Sequence, residues 1–87
     1  MKKADFKKGR RGFIVRMHGK TNLSDIRINE VQVEGIADGY PSVWDLANEE
    51  SLFVELRDVF YSKEEARKHI VRFLSKQLKI FLKGAEQ

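Results

Sequence analysis

The 87 residues are 41% hydrophobic and 34% charged, carry a net charge of +4 and include no cysteine. This is enough apolar material for one domain with a modest core, and it excludes disulfides and thiolate metal sites. No apolar run approaches the roughly 20 residues of a membrane span. The basic start MKKADFKKGRRG lacks the apolar stretch of a secretory signal, so the expected compartment is the cytoplasm.

The net charge conceals a strong pattern. Residues 1–20 hold eight basic residues and one acid, residues 21–62 two basic residues and nine acids, and residues 63–87 seven basic residues and three acids. Basic ends flank an acidic middle. A uniformly basic nucleic-acid binder does not look like this, so any basic footprint must come from the ends. The competing expectation is that the basic ends pair with the acidic middle within one fold.

In chain order, residues 1–10 read as a flexible basic arm with Phe6 as its main apolar residue. Residues 12–17 (GFIVRM) read as a strand with Phe13, Val15 and Met17 on one face. His18 to Ser24 is rich in turn formers. A second strand is expected from Asp25 to Ile36. Its inward parity changes between Ile26/Ile28 and Val31/Val33, which predicts a bulge at Asn29-Glu30. Ala37-Asp38-Gly39 reads as a turn. Tyr40 to Leu46 reads as an edge strand, because Pro41 cannot donate to a ladder. Asn48-Glu49-Glu50 is a polar turn, and Ser51 to Arg57 is the last strand. Ser62-Lys63-Glu64-Glu65 is a capping box, with Tyr61 placed to staple onto Ala66. Gly84 suits a left-handed C-cap. The helix is therefore expected over 63–83, about 31 Å long.

Placed at 100° intervals, Lys68, Arg72, Lys76, Lys79 and Lys83 share a narrow arc of that helix. Apolar residues fill about 200° of the remainder, where a helix on one sheet needs little more than about 100°. The surplus lies in the second half, Val71 to Leu82. Either the sheet wraps more of the helix, or Val71, Leu78, Phe81 and Leu82 form a partner interface, most simply in a homodimer or with a larger assembly as an accessory subunit.

Other chemistry is thin. His18 and His69 have no neighbouring ligands at zinc spacing, so no metal site is expected. Gly19-Lys20-Thr21 resembles the end of a phosphate loop, but Ile14 stands where that loop needs glycine. Asp38, Asp45, Glu49 and Glu50 read as solvated loop acids, with no third group to make a carboxylate pair catalytic. Trp44 and Tyr40 fit an exposed aromatic surface, though core packing is the plainer use for a lone Trp. Neither a catalytic residue nor a cofactor, small-molecule substrate or membrane partner is indicated. Nucleic-acid contacts, if made, would use Lys2, Lys3, Lys7, Lys8, Arg10 and Arg11 of the arm with the helix stripe, gripping phosphates without reading sequence.

The segments Phe6-Lys-Lys-Gly9, Val33-Glu-Gly-Ile36, Gly39-Tyr40 and Asp58-Val-Phe-Tyr-Ser-Lys-Glu-Glu-Ala66 together resemble a loose group of small bacterial and phage-type proteins. These carry a K-x-G opening, a V-x-x-I second strand and a D-V-F-x-T-K-E-E-A closing motif. The resemblance spans residues 6–70. It implies a small barrel of the Src-homology-3 type closed by a short helix, and it implies a fold more than an activity. Ser62 replaces the usual Thr and keeps the cap, while the helix runs well past Ile70. The expected fold is α+β: a small bent antiparallel sheet or SH3-like barrel of four or five strands over 11–62, with one long C-terminal helix over 63–83 in the same domain. Its expected core is Phe13, Val15, Val31, Val33, Val43, Leu52, Val54, Leu56 and Phe60, with Ala66, Ile70 and Leu74 from the helix. The expected function is a non-catalytic protein-interaction module.

Overall fold

The computed structural model describes residues 1–17 and 26–85. The segment HGKTNLS, with His18 and the Gly19-Lys20-Thr21 triplet, lies outside the described residues, as does Asp25. The chain is α+β. Four antiparallel strands, β1 (Arg11–Met17), β2 (Ile26–Ala37), β3 (Tyr40–Asp45) and β4 (Glu50–Phe53), form an open sheet in sequence order. One helix, α1 (Lys63–Ala85), follows. After β4 a 3-10 turn at Leu56–Asp58 brings the chain back to the outer edge of β1. There Phe13 and Phe60 exchange two backbone hydrogen bonds of 2.9 and 2.8 Å. The last expected strand, Ser51 to Arg57, is thus a shorter strand followed by a turn.

The β2–β3 hairpin closes on two residues, Asp38 and Gly39, with φ of 53° and 82°. Positive φ at both positions matches the strand twist, and Asp-Gly is the pair that tolerates it. The ladder shifts between Val33 and Gly35, not at Asn29-Glu30, where β1 and β2 stay in regular register. The parity change in β2 has another cause. Ile26 and Ile28 pair with Met17 and Val15 on one face, while Val31 and Val33 stand on the other. Both faces of this corner are apolar, so no bulge is needed to reconcile them. β3 is interior, between β2 and β4, and not an edge. Pro41 is tolerated because it sits at the strand's start beside the irregularity, where its carbonyl still accepts from the Val54 amide at 3.0 Å.

The core is Phe6, Ile14, Val31, Val33, Val43 and Val59, with Met1, Leu52, Val54 and Leu56 packed against it. The expected members from β2 and β3 are there. In β1 the buried residues are Gly12 and Ile14, while Phe13, Val15 and Phe60 are half-buried. The run GFIVRM is apolar at successive positions, so its alternation carries no phase. Register decides instead, because Gly12 stands opposite Val31 and Ile14 opposite Asn29, on the core face. A Cβ on Gly12 would lie 2.9 Å from the Val59 side chain, so the missing side chain lets the returning segment close.

Residues 1–10 are packed rather than free. Lys3–Asp5 form a 3-10 turn, Phe6 is buried, and the Met1 amino group donates to the carbonyls of Leu56 and Val59 at 2.6 and 2.5 Å. Gly9 and Arg10 trade backbone hydrogen bonds of 2.8 Å with Val33. A single buried aromatic ring and backbone pairing suffice to order a segment that composition alone marks as mobile.

Candidate interaction surface

The start of α1 is fixed by local chemistry. The Ser62 hydroxyl accepts from the Glu65 amide at 3.2 Å. The Glu65 carboxylate reaches back to the Tyr61 amide at 3.1 Å, one residue earlier than a capping box prescribes. Tyr61 joins the helix to the N-terminal segment. Its hydroxyl donates to Asp5 at 2.6 Å and accepts from the Lys2 amide at 3.0 Å, and the Arg10 guanidinium lies over its ring. The hydrogen bond from Tyr61 holds the Asp5 carboxyl below its ordinary range, and the same bond raises the Tyr61 hydroxyl. Gly84 does not end the helix. It lies within α1, which runs on to Ala85.

Ala66 is buried and Ile70 and Leu74 are half-buried, on the side expected to face the sheet. Beyond them the helix projects. Twenty-three residues span about 34 Å at 1.5 Å each. The radius of gyration is 15.0 Å, against roughly 12 Å for a compact chain of this length. The projecting part keeps its apolar side chains in the open: Val71, Leu78, Phe81 and Leu82 are between 52% and 69% exposed. Sheet wrapping does not account for the surplus apolar arc. Phe73 and Ile80 are also exposed and continue the surface around the helix.

The stripe Lys68, Arg72, Lys76, Lys79 and Lys83 is exposed throughout. Lys68 pairs with Glu64 one turn earlier at 3.6 Å. The other four have no salt bridge among the described residues. From Arg67 to Ala85 the helix contains no acid. In the N-terminal segment, Arg11 reaches Glu30 at 4.0 Å and Arg10 reaches Asp5 at 3.8 Å, while Lys2, Lys3, Lys7 and Lys8 are exposed without a salt bridge among the described residues. The N-terminal basic end thus meets the acidic middle through Arg11 and Arg16, which pairs with Asp45 and Glu50, whereas the helix stripe makes no salt bridge to it among the described residues. Of the N-terminal cations, Arg10 lies over Tyr61 at the helix start, whereas Lys76 and Lys83 stand about 21 and 31 Å further along the helix. The two basic groups are brought into one molecule but not into one patch.

Between the ends of β1 and β4 and the first half of α1 lies a groove of about 760 Å³. Ile14, Leu52, Val54, Phe60, Ile70 and Phe73 line it, and its charges balance: Glu55 and Asp58 face Arg16 and Arg57, with Arg57 paired to Glu55 at 2.7 Å. Phe53 stands at its mouth, 80% exposed, with its ring set edge-on to Tyr40 at 6.0 Å. His69 lies against the Phe60 ring at 5.0 Å, and among the described residues no cluster of His, Asp and Glu could hold a metal ion. Sequence reasoning does not find this groove, because its walls come from all four strands, the 3-10 turn and the helix. Trp44 and Tyr40 share the outer face of β3, so Trp44 is not a core residue.

Asp45 is fully buried, contrary to its reading as a solvated loop acid. One carboxylate oxygen accepts from the amides of Ala47 and Asn48 at 2.9 and 3.2 Å. The other accepts from Arg16, Asn29 and the Asn48 side chain at 3.0, 3.1 and 3.3 Å. Burial alone would push this carboxyl up. The bonds from Asn29, Asn48, Arg16 and Ala47 outweigh it and hold the group below its ordinary range. Arg16 also grips Glu50 at 2.5 Å, and that bond, followed by the one to Asp45, raises its already high value. With every lone pair engaged, this cluster locks the β3–β4 turn to β1 and leaves no acceptor for a substrate.

Comparison with protein-family models, with curated proteins and with solved structures finds no match to this chain. Among the described residues, no helix is long and apolar enough to cross a membrane.

Proposed function

We propose that this chain is a non-catalytic protein-interaction module that binds through the second half of α1. The observation that carries the reading is the exposure of Val71, Leu78, Phe81 and Leu82 on a helix that projects past its own sheet. Apolar side chains clustered in this way mark a surface that another molecule covers. The resemblance to small phage-type barrel proteins fits a module of this size, and the extension beyond Ile70 is where the chain departs from that pattern. A photo-crosslinking amino acid at Leu82, introduced in the cell that makes the protein, should form a protein adduct. The same group at the exposed turn residue Asp38 should not. Equal yields at the two positions, or none at Leu82, would reject the reading.

A second reading has one observation in its favour. Arg72, Lys76, Lys79 and Lys83 are exposed cations without a salt bridge among the described residues. Such a stripe, with Lys2, Lys3, Lys7 and Lys8, would hold phosphates with a steep salt dependence. Anisotropy of labelled duplex and single-stranded nucleic acid at low salt tests it. Binding unchanged by charge reversal at Arg72 and Lys76 would remove the helix from that model.

A further inference from the structure

We infer that the partner of the projecting helix is an acidic protein with an open apolar cleft, and that the tail of α1 lies lengthwise in that cleft. This rests on the reading of α1 as a protein-binding helix and names the chemistry of what it binds. Three observations select that occupant.

The width of the apolar arc is the first. At 100° per residue the exposed side chains of the tail run from Ile80 through Phe81 and Leu78 to Leu82, about 200° of the circumference. A flat face, or one neighbouring helix, covers little more than about 100°. Walls that rise on both sides of the helix are needed to bury Ile80 and Leu82 together. Leu78, Phe81 and Leu82 also carry the i, i+3, i+4 spacing by which amphipathic helices fill such grooves.

The side from which the sheet meets α1 is the second. The sheet holds the helix through Ala66, Ile70 and Leu74, and these three fall within the same arc. A flat surface approaching the arc, a lipid bilayer included, meets the sheet before it reaches the tail. The overhang from Leu74 to Ala85 is about 16 Å long, and a cleft can close on that stretch alone.

Charge is the third. From Arg67 to Ala85 the helix holds no acid, and Arg72, Lys76, Lys79 and Lys83 make no salt bridge among the described residues. Lys76 stands about 40° beyond Ile80 and Lys79 about 60° beyond Leu82, so a cation borders the arc on each side. A cleft that buries the arc sets its two rims against Lys76 and Lys79, and carboxylates on those rims complete the contact. A second copy would bring a tail of the same sign. Nucleic acid would take the stripe and leave the arc in water.

A photo-crosslinking amino acid placed at points round the helix of the full chain, in the cell that makes the protein, tests the arrangement. Leu78, Ile80 and Leu82 should each give an adduct with the same acidic protein, and Arg72 and Lys83, in the middle of the stripe, should give none. Lys76→Glu with Lys79→Glu should lower the adduct yield at Leu78 about tenfold or more. Arg72→Glu with Lys83→Glu, an equal change in net charge, should lower it less than about threefold. Circular dichroism confirms that each variant keeps its fold. Adducts at Leu82 without any at Ile80 overturn the cleft and leave a flat partner. An adduct at twice the chain's own mass puts a second copy there and overturns the inference, as does a partner that is not acidic or an equal loss of yield from the two charge-reversed pairs. In each of those cases a protein still covers the helix, and the interaction-module reading survives alone. No protein adduct at Leu82 overturns both.

Discussion

Replacing Asp45 by Asn tests the most tightly specified part of the fold. The two side chains have nearly the same shape, so the change probes chemistry and not volume. Asn can still offer one oxygen to the Ala47 and Asn48 amides, which Asp45 holds at 2.9 and 3.2 Å. Its amide nitrogen then faces three donors, from Arg16, Asn29 and the Asn48 side chain. Three hydrogen bonds are lost, one of them to a guanidinium. A neutral bond is worth about 1 kcal/mol and a charged one about 1.5–3 kcal/mol. Arg16 keeps Glu50, which softens the loss. The net cost is roughly 3 kcal/mol, a large share of the 5–15 kcal/mol typical of a domain. For a chain of this size the melting temperature should fall by roughly 12–24 °C.

The acid limb gives a second readout. The Asp45 carboxyl sits below its ordinary value in the folded state. Its contribution is therefore fully present above the unfolded value of about 3.9, and it is lost as pH falls through the lower folded value. Urea titrations from pH 7 down to pH 2 should show a constant gap between the parent and Asp45→Asn above about pH 5 that closes below about pH 4. A cost under about 1 kcal/mol at pH 7, or a gap that does not close in acid, would refute the buried-cluster reasoning.

Ser62→Ala removes the acceptor for the Glu65 amide and should cost about 1 kcal/mol in urea unfolding. Phe6→Ala should cost about 3–5 kcal/mol, because the ring is buried in the core; a neutral result would return residues 1–10 to the status of a loose arm. Gly12→Ala should cost about 1–3 kcal/mol, since the new methyl would meet Val59 at 2.9 Å and the Phe60 carbonyl at 3.2 Å. Hydrogen exchange should be fast at the amides of the α1 tail in the isolated chain; protection there equal to that of the core strands would speak against a tail that projects past its sheet.

How far the fold could be read depended on whether each signal was local. The helix start was legible because Ser62 and Glu65 act within one turn, and only the reach of Glu65 to Tyr61 rather than Ser62 differed. The Asp38-Gly39 turn was legible for the same reason. Phase in β1 was not, because GFIVRM is apolar on both parities and the choice of Ile14 over Phe13 is made by pairing with β2. The burial of Asp45 is not legible, because its bonds to Ala47 and Asn48 are local and suit an exposed Asx turn equally well, while Arg16 and Asn29, which enclose it, are linked to it by no spacing in the sequence. Helical periodicity put the cationic stripe and the apolar arc on separate faces of α1, and the structure leaves both exposed. The groove is not legible, since the alternation of Ser51 to Arg57 reads as one strand where the chain leaves β4 after Phe53 and turns at Leu56–Asp58.

The length of α1 is itself informative. The sheet engages its first turns through Ala66, Ile70 and Leu74, and a helix ended there would complete the fold. The remaining turns gain little from propensity alone, because isolated helical segments shorter than about 12–15 residues are marginal in water. Adding Leu78, Ile80, Phe81 and Leu82 to such a segment raises exposed apolar area without a gain for the monomer. Placing only cations on its opposite face keeps that segment soluble. The exposed apolar area is a cost to an isolated chain, and it becomes favourable once another surface covers the tail of α1.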